Sequence, residues 1–546
     1  MAAGSESAPA PPGVIGVAGA GTMGAGIAQL ACLTGARTLL HDPDSDALAR
    51  GLERIRGHLQ RGVERGRITE EQAARASQAL QAAPELEGLA DCELVIEAAP
   101  ERLELKRDLF ARLATIVSGD CVLATNTSSM LVTALAGAAS DPSRVVGMHF
   151  FNPPPVMRLL EVVAGVQSSP RALAVARAAG EAMGKHVIEA ADGPGFIVNR
   201  CNRPFGLEAL RLLTEGVAEI GEIDRACRQG AGFRMGPFEM MDLVGVDVGL
   251  DVSRSFYEQS FGEPRWRPSP ITVKTIAAGR LGRKSGRGYY EYPEDGEHRP
   301  PDPEPPQMGG GDGLVVIAGD SMLAAELREA AGEAGWAVAD PLEAQGLASP
   351  YLILDLTGGE EPEAPLQGAP QALAVTMGSL AALDPGGSAV GFHALPPLAG
   401  SRLVELTRGP DSSDAAAGAA EHFFTTLGKH TLWVGDAPGL ILGRIVCQVI
   451  NEAAFALGER LGSAKDIDAG MVHGLNYPHG ILAWADAIGL DHVLSVLDAL
   501  NLERGEERYR AAPLLRRQAL SGRLGQQTGA GFFDYDPGIM ESEKPA

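Results

Sequence analysis

A histidine and a carboxylate, His149 and Glu161, bracket the stretch HFFNPPPVMRLLEVV at residues 149–163. His149 comes at the end of the apolar run VVGMHFF, and Glu161 lies inside a second apolar run, LLEVV. On neighbouring strand ends the two side chains can meet. The carboxylate then fixes the imidazole tautomer and stabilises the imidazolium, and the histidine can take or give a proton near neutral pH. Titratable pairs of this kind are often merely structural, so this stretch alone favours a satisfied core histidine beside a glutamate. The decision falls to the elements that must position the pair.

Upstream, GVIGVAGAGTMGAGIAQLACLTGARTLLHD reads as a strand, a glycine-rich turn, a helix and a second strand ending at Asp42. Gly19, Gly21 and Gly24 form GxGxxG where strand passes into helix, with Thr22 and Met23 inside the loop. The glycines permit the turn and let the backbone approach a pyrophosphate at the helix N-terminus, and Asp42 is placed to bond an adenosine ribose. A strand before, a helix after and an acid closing the next strand make the motif specific for a dinucleotide. An acid at 42 repels a 2′-phosphate, which favours NAD over NADP.

Residues 44–89 are helical in pattern and carry Arg50, Arg54, Arg56, Arg61, Arg65 and Arg67, either a solvated face or a docking surface for a polyphosphate. The strands CELVIEAAPE, CVLATNTSS and VVGMHFF follow, alternating with helices, so a parallel, doubly wound sheet is expected. Ligands bind such sheets beyond the C-terminal strand ends, where Asp42, Glu101, Asn126, Ser128 and His149 all fall. From DGPGFIVNR at 192–200 helical patterns take over, with the polar Asn199 in an apolar helix. An interhelix hydrogen bond is the plain structural role for that amide.

The chain then repeats itself. Past a Pro-, Gly- and acid-rich linker at 294–313, GDSMLA follows LVVIA as GAGTMG follows VIGVA. FHALPPLAGSRLVELTRG carries His393 and Glu405 at the spacing of His149 and Glu161, and DAPGLILGR matches DGPGFIVNR at the same offset. The second copy has Ser321 and Ala324 for two motif glycines, Gly443 for Asn199, Gly378 roughly where Ser128 stands, and little of the Arg-rich excursion. It is expected to be a structural pseudo-subunit.

The chain has 546 residues and a net charge of −24. The length implies several domains, and the charge argues against nucleic acid or anionic membranes as partners. The six cysteines form no CxxC pair, so neither a zinc site nor a disulfide framework is expected, and a cytoplasmic location fits. The first residues lack a basic and an apolar region and do not read as a secretory signal. No apolar run is long enough to span a bilayer.

Together GAGTMGAGIA, VIEAAPERLELK, ATNTSS, HFFNPPPVMRLLEVV, DGPGFIVNR, MGPFEMMDLVG and GRKSGRGYYEY resemble the L-3-hydroxyacyl-CoA dehydrogenases, in an extended bacterial form similar to 3-hydroxybutyryl-CoA and 3-hydroxyadipyl-CoA dehydrogenases. The resemblance implies NAD as cofactor and a 3-hydroxyacyl-CoA substrate, in fatty acid or phenylacetate degradation. It implies His149 as catalytic base paired with Glu161, with Ser128 and Asn199 on the substrate oxygens. Asp42, Glu101, Lys106 and Asn152 then contact NAD together with the glycine loop, Asn126 and Ser128, and no metal is involved. The implied architecture is α/β plus all-α: a tail (1–12), a Rossmann NAD-binding domain (13–190), a helical domain (191–293), the linker (294–313), a degenerate Rossmann-like domain (314–434), a second helical domain (435–536) and a tail (537–546). The second helical domain is expected to pack on the first as an internal pseudo-subunit, which leaves a homodimer of the whole chain open. Two other readings stay open on sequence alone: a related NAD-dependent dehydrogenase of free hydroxy acids, and a non-catalytic, crystallin-like protein.

Overall fold

The computed structural model describes residues 9–358 and 368–535. Of the two expected tails, residues 1–8 and 537–546 lie outside the described residues. The chain divides into two compact units. One runs to Arg200 and includes Glu459–Leu475; the other comprises Cys201–Gly458 and the chain from Asn476.

The first unit is built on an eight-stranded sheet: β1 (Val14–Ala18), β2 (Arg37–His41), β3 (Leu80–Ala82), β4 (Leu94–Glu97), β5 (Val122–Thr125), β6 (Val145–Phe150), β7 (Leu159–Ala164) and β8 (His186–Ala191). The spatial order is β3-β2-β1-β4-β5-β6-β7-β8. Apolar runs such as VIGVA and LVIE suit strands buried on both faces, and β1, β4 and β5 are buried almost throughout. All neighbours pair in parallel except β6 and β7, which are antiparallel. The expectation of a purely parallel sheet is corrected at that one step. The tight connection through the cis peptide Asn152–Pro153 replaces a crossover helix there.

The Arg-rich excursion forms two helices, Ser45–Glu64 and Glu70–Ala79, followed by β3. Asp44 caps the first by accepting from the N–H groups of Asp46 and Ala47, and Thr69 and Gln72 form a capping box on the second. Leu48, Gly51, Ile55 and Leu59 make the buried stripe of the longer helix, which leaves Arg50, Arg56 and Arg61 on its exposed side.

The second unit holds a seven-stranded sheet: β9 (Leu314–Ala318), β10 (Ala337–Ala339), β11 (Leu352–Asp355), β12 (Gln371–Ala374), β13 (Val390–His393), β14 (Leu403–Arg408) and β15 (His430–Val434), in the order β10-β9-β11-β12-β13-β14-β15. Among the described residues it has no counterpart of β3, and little of the excursion that produces β3 is present. The second sheet repeats the antiparallel step at β13 and β14.

The two copies exchange an equivalent segment. Leu461 O accepts from Ala191 N at 2.7 Å beside β8, and the following helix Ala464–Leu475 packs on β7 and β8. In the same way Val217 O accepts from Gly435 N at 2.7 Å beside β15, and Gln229 O accepts from Arg402 N at 2.8 Å. A segment of each helical copy therefore lies against the sheet of the other copy. Residues 294–313 are a pinned strap: Arg299 and Arg228 bond Glu239, and Arg228 also bonds Asp302 at 2.7 and 2.8 Å.

Inside the second unit the helices Arg203–Glu215 and Leu442–Gly458 pack together, so the two helical copies meet there. At their contact Arg444 is fully buried. It donates to Glu208 at 2.8 and 2.5 Å and to Glu215 at 2.7 Å, while Tyr509 donates to Glu208 at 2.9 Å. Removing one partner of a buried pair leaves a desolvated charge behind. Arg444→Met should destabilise the protein by about 3–5 kcal/mol, measured as a fall in the urea unfolding midpoint. An unchanged midpoint would mean that the cluster is not what joins the copies.

Candidate active site

The antiparallel step places His149 and Glu161 directly opposite each other in register, so both side chains leave the same face of the sheet. His149 Nδ1 lies 2.6 Å from Glu161 Oε2. A carboxylate can only accept, so Nδ1 carries the proton and Nε2 is left as the basic nitrogen. Glu161 is fully buried, and its other oxygen accepts from the N–H groups of Ile197 and Val198 at 3.0 and 3.1 Å. Those donors are aimed by a left-handed turn: Gly195 has φ +71° and Phe196 φ +52°, a strained value for a bulky side chain. The Asp192 of the same motif accepts from Val132 N and Thr133 N at 3.0 and 2.7 Å, tying the turn to a neighbouring helix. Phe151 and Phe196 flank the imidazole at 4.6 and 5.6 Å between ring centres.

Asn199 follows on the short helix Val198–Cys201, partly exposed. Ser128 is also partly exposed and stands just past the end of β5. Asn126 Oδ1 accepts from Phe150 N at 2.8 Å and so braces β5 against the end of the histidine strand.

Past β4 and β5 lies a polar cluster that the sequence did not reveal as a unit. Lys106 is wholly buried, with its ammonium 2.7 Å from Glu101 and 3.1 Å from Glu97. Thr125 donates to Glu97 at 2.7 Å. Glu101 accepts from Thr127 Oγ1, from Ser128 N at 3.2 Å and from Ser129 Oγ at 3.0 Å. Burial raises the Glu97 carboxyl above its ordinary range against the pull of Lys106. Burial would raise Glu101 as well, but there Lys106 and the Thr127 and Ser129 hydrogen bonds outweigh it and hold the carboxyl low. The Ser128 backbone is thus set by an ion pair. Glu97 and Thr127 were missed because each reads in sequence as an ordinary strand-end residue.

The glycine loop fits a dinucleotide. Gly19 has φ +118°, and a Cβ there would meet Ala98 O at 2.5 Å. A Cβ on Gly24 would collide with Gly19 O at 1.8 Å, whereas one on Gly21 would meet nothing within 4 Å. The first and third glycines are therefore demanded by packing, and the second opens onto clear space above the helix Thr22–Leu33. Gly21 caps that helix with no side chain, so the N-terminal end stays accessible to an anion. Asp42 is half-buried and accepts from Ala20 N at 2.8 Å, at the rim of the same loop. Asn152 is exposed on the loop after β6.

Comparison with known proteins agrees with this geometry. The family model for the 3-hydroxyacyl-CoA dehydrogenase NAD-binding domain matches residues 14–193, and that for its C-terminal domain matches residues 195–292 and again 439–535. The chain belongs to the 3-hydroxyacyl-CoA dehydrogenase family. It is 37% identical to 3-hydroxyadipyl-CoA dehydrogenase of Escherichia coli K12 over 93% of this chain and 97% of that one. It is 40% identical to 3-hydroxybutyryl-CoA dehydrogenase of Bradyrhizobium diazoefficiens over 51% of this chain and 94% of that one. The crystal structure of an Escherichia coli 3-hydroxybutyryl-CoA dehydrogenase superposes with a TM-score of 0.79 at 34% identity, covering 94% of this chain and 99% of that one. The protein is an NAD-dependent dehydrogenase of this family, and the loop at Gly19–Gly24 lies in the part of the chain that matches the NAD-binding domain. Among the described residues no helix is long and apolar enough to cross a membrane.

The second copy of the dehydrogenase fold keeps the register but not the site. His393 and Glu405 also stand opposite each other, yet Nδ1 is 3.6 Å from the carboxylate. The His393 Nε2 faces His492 at 3.4 Å. Burial drives His393 below and Glu405 above their ordinary values, toward a neutral pair. Gly443 is required here, since a Cβ would lie 2.8 Å from the His393 ring. In the cofactor loop Ser321 Oγ accepts from Ala324 N at 3.2 Å, and Arg328 occupies Gly319 O at 2.7 Å.

His149→Ala should lower NAD reduction with a 3-hydroxyacyl-CoA by at least about 100-fold, while NAD binding measured by fluorescence titration is kept. Near-full activity would remove His149 from the chemistry. His393→Ala should leave turnover within about two-fold of the parent by the same assay. A loss comparable to that of His149→Ala would show that the second copy takes part.

Proposed function

We propose that the protein oxidises an L-3-hydroxyacyl-CoA to the 3-ketoacyl-CoA with His149 as general base, and that its substrate is a short ester such as 3-hydroxybutyryl-CoA or 3-hydroxyadipyl-CoA. The observation that carries the assignment is the His149–Glu161 pair, with Nδ1 held at 2.6 Å by a carboxylate that is itself held by two backbone donors. His149 Nε2 takes the proton of the C3 hydroxyl, and Glu161 stabilises the imidazolium that results. Ser128 and Asn199 bond the substrate oxygens and orient C3, a positioning contribution separate from proton transfer. When bound, NAD supplies the hydride acceptor. The backbone of Gly21–Gly24, with Thr22 and Met23 in it, receives the pyrophosphate, and Asp42 takes the ribose. Asn126, Ser128 and Asn152 line the approach of the nicotinamide end, as does Glu101, which Lys106 fixes from below.

The exposed arginines of Ser45–Glu64 offer the CoA phosphates a local positive surface on a chain whose net charge is −24. The reaction suits a cytoplasmic enzyme of fatty acid or aromatic acid degradation. NAD-linked oxidation should be seen across a panel of 3-hydroxyacyl-CoA esters of graded length, with NADP at least about ten-fold worse in kcat/KM because Asp42 repels a 2′-phosphate. Activity on free hydroxy acids and none on the CoA esters would replace this reading with that of a free hydroxy acid dehydrogenase.

A further inference from the structure

The first unit holds a buried charge cluster that its fold alone does not call for. The side chains of Glu97 and Lys106 are fully buried, and the Lys106 ammonium lies 3.1 Å from Glu97 Oε1 and 2.7 Å from Glu101 Oε2. Glu97 also accepts from Ala99 N at 2.6 Å and from Thr125 Oγ1 at 2.7 Å, so both of its oxygens are engaged inside the protein. Glu101 is partly exposed, and its other oxygen gathers Thr127 Oγ1, Ser128 N and Ser129 Oγ. Thr127 Oγ1 accepts in turn from Met130 N at 3.0 Å. A lysine carries its charge on a flexible stem. Paired with Glu101 alone, the ammonium would be free to follow that carboxylate toward solvent; Glu97 fixes it from the inner side.

The duplicated chain separates this cluster from the ties that serve the fold. Those ties recur in both copies. Lys185 donates to Pro154 O and Met157 O at 2.5 and 2.6 Å, as Lys429 does to Leu398 O and Ser401 O at 2.8 and 2.5 Å. Asp192 accepts from Val132 N and Thr133 N, as Asp436 does from Leu380 N and Ala381 N. The cluster does not recur. Asp355 takes the place of Glu97, opposite Ala318 as Glu97 is opposite Ala18, and its carboxylate accepts from Thr357 N and Oγ1 at 2.8 and 2.7 Å. Leu373 stands across from it where Thr125 stands across from Glu97, and the buried Val375 follows two residues on, as Thr127 does. Residues 356–370 contain neither lysine nor arginine. Burying ions is costly unless each is paired, and the second sheet forms without doing so. The cluster belongs to the copy that keeps the three glycines of the cofactor loop.

We propose that Glu97 is a positioning residue for the dehydrogenase reaction: it anchors the Lys106 ammonium, which fixes Glu101, which holds residues 127–129 so that Ser128 meets substrate and cofactor in a set place. The inference rests on the reading of the preceding section, which gives Ser128 and Glu101 their roles.

The test uses Glu97→Gln, which keeps the shape of the side chain and removes its charge. It reads amide hydrogen exchange in the cofactor-free protein together with turnover on 3-hydroxybutyryl-CoA. The amides of residues 128–130 should exchange at least about ten-fold faster than in the parent, with those of Ile197 and Val198 unchanged. Turnover should fall at least about ten-fold in kcat, more than KM for the CoA ester changes. Asp355→Asn, the matching change in the second copy, should leave kcat within about two-fold of the parent. Should Glu97→Gln not fold, Thr127→Val takes its place: it puts the second copy's residue into the first, removes one hydroxyl, and should give the same local exchange and the same loss. Parent-like exchange at 128–130, or a parent-like kcat, in the folded variant overturns the proposal. So does faster exchange spread evenly over the sheet, or an equal loss of kcat in Asp355→Asn. If the parent itself reduces no NAD with any 3-hydroxyacyl-CoA, the dehydrogenase reading has failed and the proposal falls with it.

Discussion

The carboxylate of Glu161 is the constraint on which the first unit's site depends. One oxygen holds the His149 imidazole and the other accepts the N–H groups of Ile197 and Val198. A buried carboxylate is tolerated only when its acceptors are filled. The strand carrying Glu161, the strand carrying His149 and the turn that starts the helix of Asn199 are therefore locked by one residue. The positive φ at Phe196 falls in the turn that presents these two consecutive N–H groups to one oxygen. Substituting Glu161 would thus disturb the geometry of the base and of the neighbouring amide together.

The duplicated chain contains its own control for this argument. Glu405 accepts from Ile441 N and Leu442 N as Glu161 does from Ile197 N and Val198 N, and Leu440 has φ +45° in the place of Phe196. The lock persists, so its structural value does not depend on catalysis. What the second copy has lost is the freedom of the histidine. The His393 ring has turned toward His492, in space that Gly443 leaves by having no side chain. A side chain at 443 would evict the ring, so the loss of the asparagine and the collapse of the histidine are one change. The retained His–Glu spacing is then a folding feature, and the chemistry of the first copy comes from what surrounds it.

Much of this was legible in the sequence because the relevant signals are local. GxGxxG between strand and helix, the acid closing β2 and the repeated DxPG turn each encode a backbone geometry in a few adjacent residues. The antiparallel step was not legible, since strands buried on both faces look the same in either direction. Sequence marked Glu101 and Lys106 as expected cofactor residues, but neither their pairing nor the part of Glu97 in the cluster, since their burial is tertiary. The exchange of Glu459–Leu475 onto the first sheet was equally hidden, because helical patterning says which face is apolar and not which sheet covers it.

The electrostatics of the chain look contradictory until they are taken locally. A net charge of −24 should repel both NAD and a CoA ester, each of them an anion. Exposed charges farther apart than about 8 Å are largely screened at physiological salt, so distant acids count for little at a binding loop. What counts is the charge within a few ångströms, and there the acids near the cofactor loop are already committed. Lys106 pairs with both Glu97 and Glu101, and Asp42 is occupied in part by Ala20 N. The surfaces proposed to receive anions are in contrast cationic or donor-rich: the arginine face of Ser45–Glu64 and the bare helix end at Gly21. The acidic surplus can then serve solubility without opposing catalysis, because pairing and screening confine it to places the ligands do not need.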